Sequence, residues 1–70
     1  MSKEELAKNT NTPTEILIKL SKDEYWFVRE DVAKNTNTPI ETLIELSNDK
    51  EWIVRGYVTT NPTWVNSIKS

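Results

Sequence analysis

Two arginines, Arg29 and Arg55, recur in matching settings, each six residues after an aspartate (Asp23, Asp49) and three after a tryptophan (Trp26, Trp52). A guanidinium beside an indole supports two kinds of chemistry. Turned outward, its planar fork grips a carboxylate or phosphate on a partner, and the indole plane offers a stacking platform for bases or sugars. Turned inward, each arginine pairs with Asp23, Asp49 or a nearby carbonyl and fixes the turn between two helices. Positions shared by every unit of a periodic chain usually serve the stacking of the units, so the inward role is expected for Arg29 and Arg55. Trp26 and Trp52, each two residues before a valine, are expected in the core or between units. Asn9, Asn35 and Asn61 recur at the same interval as the arginines. Their amides are expected to tie off unpaired loop backbone groups as an asparagine ladder, rather than to form a polar recognition row.

Catalysis has little to work with. The 70 residues include no His and no Cys, which removes the commonest general base, the commonest structural zinc ligands and any disulfide. One glycine cannot make a Gly-rich phosphate loop. The 11 carboxylates include none beside a plausible nucleophile. A non-enzyme without metal or cofactor is the expectation. Net charge is −2 and no segment is a basic tract, which weighs against a protein whose main task is gripping a phosphate backbone. No run reaches the length of a membrane span, and the polar start at residues 1–5 does not read as a signal peptide. A cytoplasmic protein is the default expectation.

The elements that must position these residues follow from the periodicity itself. Residues 6–31 laid on residues 32–57 match at 16 of 26 positions without a gap, the mark of a repeat architecture. Each unit reads as two short helices. Thr12-Pro13-Thr14-Glu15 and Thr38-Pro39-Ile40-Glu41 carry the pattern of a capping box with Pro at the first helical position. The second helix of the unit begins after Asp23 or Asp49 and holds Val28 and Val32, four apart on one face. β-Branched residues there weaken local helix preference, so packing against neighbours must hold it. The ends depart from the pattern, as terminal units must. Residues 1–5 form a polar N-terminal cap with a capping box at Ser2–Glu5, and residues 58–70 form a truncated last unit. In it Trp64 stands where Thr38 stood, and Asn61-Pro62 starts a short helix whose Trp64, Val65 and Ile68 close over the core.

The string Asp23-x-x-Trp26-x-Val28-Arg29-x-x-Val32-Ala33-x-Asn35-x-x-Thr38-Pro39-x-x-x-Leu43-x-x-Leu46 resembles the leucine-rich repeat variant family across one whole unit. Asn61-Pro62 looks like that family's Asn-Pro. The resemblance implies an all-α fold: a short right-handed helical-repeat solenoid of about 2.5 units, related in general appearance to HEAT and armadillo repeats. It implies no activity, since the family's repeats serve mostly as scaffolds.

Function is therefore sought on positions free to vary within the pattern. Tyr25, Glu30, Asp31, Glu51 and Tyr57 are the candidates for a partner-facing surface, and Trp64 is a candidate either as cap or as contact with another chain. The expected function is a non-catalytic module that binds another protein or a second copy of itself. The alternative is nucleic-acid binding through Arg29, Arg55, Lys8, Lys34 and the tryptophans, against which the acidity counts.

Overall fold

The computed structural model describes residues 2–69. In chain order the helices are α1 (Lys3–Lys8), α2 (Thr14–Leu20), α3 (Trp26–Lys34), α4 (Ile40–Leu46), α5 (Trp52–Thr60) and α6 (Pro62–Lys69), and no strand occurs among the described residues. The fold is all-α. α2 and α4 have seven residues each and α3 and α5 nine, so equal helices recur at the sequence spacing. None is long enough to be stable alone in water, where isolated helices below about 12 residues are marginal.

Packing supplies what length does not. α3 lies between α1 and α5 and packs most extensively on both, while α2 packs on α1 and α3, and α4 on α3, α5 and α6. The molecule measures 35 × 25 × 15 Å. At about 8–10 Å between packed helix axes, the short dimension holds about two layers. One contiguous core fills the space between them: Ala7, Val28, Val32, Ala33, Val54 and Val58 from the odd-numbered helices, and Leu20, Leu43 and Leu46 from α2 and α4. The small Ala7 and Ala33 admit close approach of neighbouring helices, and the valines trade helix propensity for shape in the seam.

Helix ends are closed by side chains instead of glycine. Asn9, Asn35 and Asn61 terminate α1, α3 and α5 in extended backbone, and no described residue has positive φ. The Asn35 amide donates to Ala7 O (2.8 Å) and Asn9 O (2.9 Å), and the Asn61 amide donates to Ala33 O (2.7 Å) and Asn35 O (3.0 Å). Each side-chain oxygen accepts from the backbone N–H two residues on, at Asn11, Asn37 and Thr63. Asn35 and Asn61 thus each fold their own loop and tie off two carbonyls at the matching helix end one repeat earlier. Ser2 begins α1 with both halves of a capping box in place, its hydroxyl accepting from Glu5 N–H and Glu5 accepting from its N–H.

Two local expectations need correction. Thr12 and Thr38 do not cap the helices that follow them. Both are buried, and their hydroxyls donate backwards, to Leu6 O and Val32 O at 2.7 Å, in the last turns of α1 and α3. A buried hydroxyl must donate, and a last-turn carbonyl of the preceding helix is the acceptor within its reach. Pro13 and Pro39 accordingly sit at the cap position of α2 and α4, outside the helix. The last helix, α6, does start at Pro62 as Asn61-Pro62 suggests, four residues ahead of the position matching Ile40 in α4, and what it covers differs from expectation. Asn61 both ends α5 and begins α6, because its oxygen accepts from Thr63 N–H. Trp64 and Val65 are half-buried, and Trp64 packs on the core, but Ile68 is left exposed.

Asn35→Ala should lower stability by about 2–4 kcal/mol in urea unfolding, because the Ala7 carbonyl and the Asn37 N–H lose their partner and the Asn9 carbonyl keeps only the Thr12 N–H. Asn9→Ala, at an exposed position whose amide serves no earlier loop, should change it by about 0.5 kcal/mol or less.

Candidate interaction surface

The recurring basic residues form one line along the molecule. Arg29 Nε and Nη2 donate to the two carboxylate oxygens of Asp49 at 2.7 and 3.1 Å, and Nη1 donates to Asp23 O at 2.7 Å. Both side chains are nearly buried, with Arg29 6% exposed. Lys3 stands on α1 where Arg29 stands on α3, and it pairs at 2.9 Å with Asp23, the aspartate ahead of α3, just as Arg29 pairs with the aspartate ahead of α5. Arg55 is held through Nη1 by Asp49 O, as Arg29 is by Asp23 O, but it is exposed and forms no ion pair among the described residues. Lys3 escaped sequence reasoning as a member of the line. Its place one repeat before Arg29 was the available signal.

These contacts set the titration of the aspartates. The Tyr25 N–H and then Lys3 hold the Asp23 carboxyl below the usual carboxylate range. Burial pushes Asp49 up, but hydrogen bonds from Arg29 and the Glu51 N–H outweigh it and bring it down. Asp31 goes the other way. Burial pushes its carboxyl up, and the charges of Lys8 and Lys34 offset this only in part. At 5% exposure, in a groove shared with Lys8, Thr10, Lys34, Asn35 and Thr36, Asp31 is not a partner-facing residue. That corrects its assignment from sequence, because the variable position on α3 turns toward α1 instead of toward water.

The tryptophans need the opposite correction. Trp26 and Trp52 do not fill the core: they are 43% and 73% exposed. Each is the first residue of its helix, where the side chain reaches past the helix end instead of into the seam filled by Val28 and Val54. Tyr25 and Phe27 are exposed beside Trp26, stacked on one another at 5.3 Å, with Trp26 edge-on to Phe27 at 5.8 Å. On α5, Trp52, Ile53, Gly56, Tyr57 and Thr60 line an open groove of about 310 Å³. A Cβ on Gly56 would meet nothing within 4 Å, so the groove floor is bare without any packing need for glycine.

Of the other candidates, Tyr57 is half-buried under the Lys34 ammonium at 4.3 Å, and Lys34 in turn pairs with Glu30 at 3.1 Å. Glu51 is half-buried at the start of α5, and Trp64 is half-buried on α6. The exposed aromatic residues therefore form two groups, Tyr25, Trp26 and Phe27 at the start of α3, and Trp52 beside half-buried Tyr57 on α5. Among the described residues no three His, Cys, Asp or Glu come together as metal ligands, and no helix is long and apolar enough to cross a membrane. Comparison with known protein families, curated proteins and solved structures returned no match.

Arg29→Ala should cost about 3 kcal/mol, as expected when a nearly buried pair loses one charge, measured by urea unfolding at neutral pH. Asp23 and Asp49 are depressed in the fold, so their stabilisation is present above the unfolded value of about 4 and is lost as pH falls through the folded values. Asp31 has the reverse sign: Asp31→Asn should raise stability at pH 7 and have no effect once the pH is below both its folded and unfolded values. Gly56→Ala should stabilise by about 0.5–1 kcal/mol, since α5 gains helix propensity with no clash. Thermal unfolding of the single variants at pH 3 and 7 reads all three.

Proposed function

We propose that this chain is a non-catalytic helical-repeat module, a short right-handed solenoid of about 2.5 units of the leucine-rich repeat variant kind, whose α3–α5 surface docks another protein. The observation that carries the reading is the exposure of Tyr25, Trp26, Phe27 and Trp52 in a chain with only six aromatic residues. A small domain is short of core volume, and leaving its largest apolar side chains in water costs burial worth about 1.5–3 kcal/mol each. Aromatic anchors are the residues that dominate protein interfaces. Gly56 supports the same surface, because a helix that forgoes the propensity of alanine at an unpacked position keeps a groove open between Trp52 and Tyr57. The periodic match in sequence, the equal helices and the asparagine amides that reach one unit back support the solenoid. A cytoplasmic setting suits a chain without cysteine.

Nucleic-acid binding is the weaker reading. Arg29 would be its leading phosphate ligand, yet that guanidinium is buried against Asp49. Self-association through the same aromatic surface is the homo-oligomeric form of the protein-binding reading, and light scattering after size exclusion tells the two apart.

The test is a Trp26→Ser/Trp52→Ser double variant. It should fold with an unchanged helical circular dichroism spectrum and lose capture of cross-linked partners, or self-association, relative to the unaltered chain. Equal capture or equal molar mass by both proteins over a wide concentration range would refute the docking surface.

A further inference from the structure

The line of basic residues has a filled and an open end. Lys3 on α1 holds Asp23 ahead of α3, and Arg29 on α3 holds Asp49 ahead of α5. Arg29 shows what the line is built to take. Its Nη1 is anchored on Asp23 O, and this leaves the Nε–Nη2 edge aimed at a carboxylate, which Asp49 fills with both oxygens. Asp49 is not any carboxylate: Oδ1 also accepts the Glu51 N–H, so Asp49 is an aspartate fixed at the head of a helix, three residues before Trp52.

Arg55 repeats the anchoring. Its Nη1 donates to Asp49 O, the same backbone position one unit on, and its Nε and Nη2 meet no partner among the described residues. Residues 52–69 contain no Asp or Glu, and Arg55 and Lys69 are their only charges. Within α5 and α6 the charges are therefore all basic in a protein of net charge −2, and Glu51, the cap residue one turn before Arg55, forms no ion pair with it among the described residues. Trp52 lies one helical turn before Arg55 and is largely exposed, so an apolar platform adjoins the open fork.

The geometry points to Arg55 as a binding site for a carboxylate on a partner protein, an aspartate at the head of an α-helix, received by Nε and Nη2 as Asp49 is received by Arg29. Carboxylate is favoured over phosphate because it is what the equivalent fork already holds, and a planar, bidentate pair suits it. Asp23 and Asp49 of a second copy are already engaged, by Lys3 and Arg29, so the partner is a different protein. This inference rests on the reading of the adjoining surface as a protein-docking face, and it adds the chemistry of the partner.

The probe is a capped peptide of this chain's own residues 47–61, which carries Asp49 ahead of its helical segment, titrated into the 15N-labelled full chain. The Arg55 Nε–H resonance and the Trp52 indole N–H should shift, and a peptide with Asp49→Asn should bind about tenfold more weakly. Arg55→Gln in the full chain should bring the two peptides to equal affinity. Because short peptides form helices poorly, the same segment is also tethered to the C-terminus through a flexible Gly-Ser linker, which holds it at millimolar effective concentration. There the Asp form should raise Tm above the Asn form.

Equal effects of the Asp and Asn segments, or no shift at Arg55 in either format, overturn the carboxylate site. A larger Arg55 shift with a short single-stranded DNA than with the peptide overturns it in favour of phosphate. Failure at Arg55 with capture still dependent on Trp26 and Trp52 would leave the docking surface standing. Failure of both would remove that reading as well.

Discussion

The structure depends on the asparagine amide that joins one helix end to the matching helix end one repeat before it. The six short helices among the described residues have twelve ends, and at each end backbone groups lose their intrahelical partners. Ala7 and Ala33, near the ends of α1 and α3, are fully buried, so their carbonyls must be paired within the protein. Asn35 and Asn61 pair them across a full repeat of the chain, while their oxygens shape the loops they stand in. Thr12 and Thr38 serve further carbonyls at the ends of α1 and α3. Only with these groups satisfied can Ala7, Ala33 and the valines bring α1, α3 and α5 together closely enough to form a core in a body 15 Å thick.

The other side of each unit is tied by charge. Arg29 bridges the turn before α3, through Asp23 O, and the turn before α5, through the Asp49 carboxylate. The helix starts are thereby fixed relative to one another as the asparagines fix the helix ends. Between these two lines of polar bonds, the first residue of each of α3 and α5 is carried past the core, and this places Trp26 and Trp52 in solvent. Alanine, valine and leucine still fill the interior, polar bonds fix the helix ends on its two sides, and the exposed aromatic residues lie outside it.

Much of this was legible in the sequence. The internal match located the repeated helices, and the inward roles expected of Arg29, Asn35 and Asn61 correspond to bonds present in the structure, whereas Asn9, exposed at the first position, reaches no earlier loop. What misled was local chemistry read without its third dimension. Thr38-Pro39-x-Glu41 has the letters of a capping box, but a threonine hydroxyl bonds whichever acceptor its burial brings near, and here that is a carbonyl of the helix behind it. Recurrence of Trp26 and Trp52 implied packing, yet a position can recur because it faces the same water in each unit. Asp31 varied between units and so looked free. Its burial beside Lys8 depends on how α3 is rotated against α1, which no spacing within one helix reveals.

The absence of left-handed backbone among the described residues has a consequence for the chain before it folds. Turns usually draw on glycine, which brings freedom the unfolded chain must surrender. Here the described turns use extended Asn, Pro and helical Ser, and the sequence holds a single glycine against three prolines. Fewer conformations are open to the denatured ensemble, so folding gives up less entropy per turn. A domain with little interior to bury draws part of its stability from the stiffness of its unfolded chain.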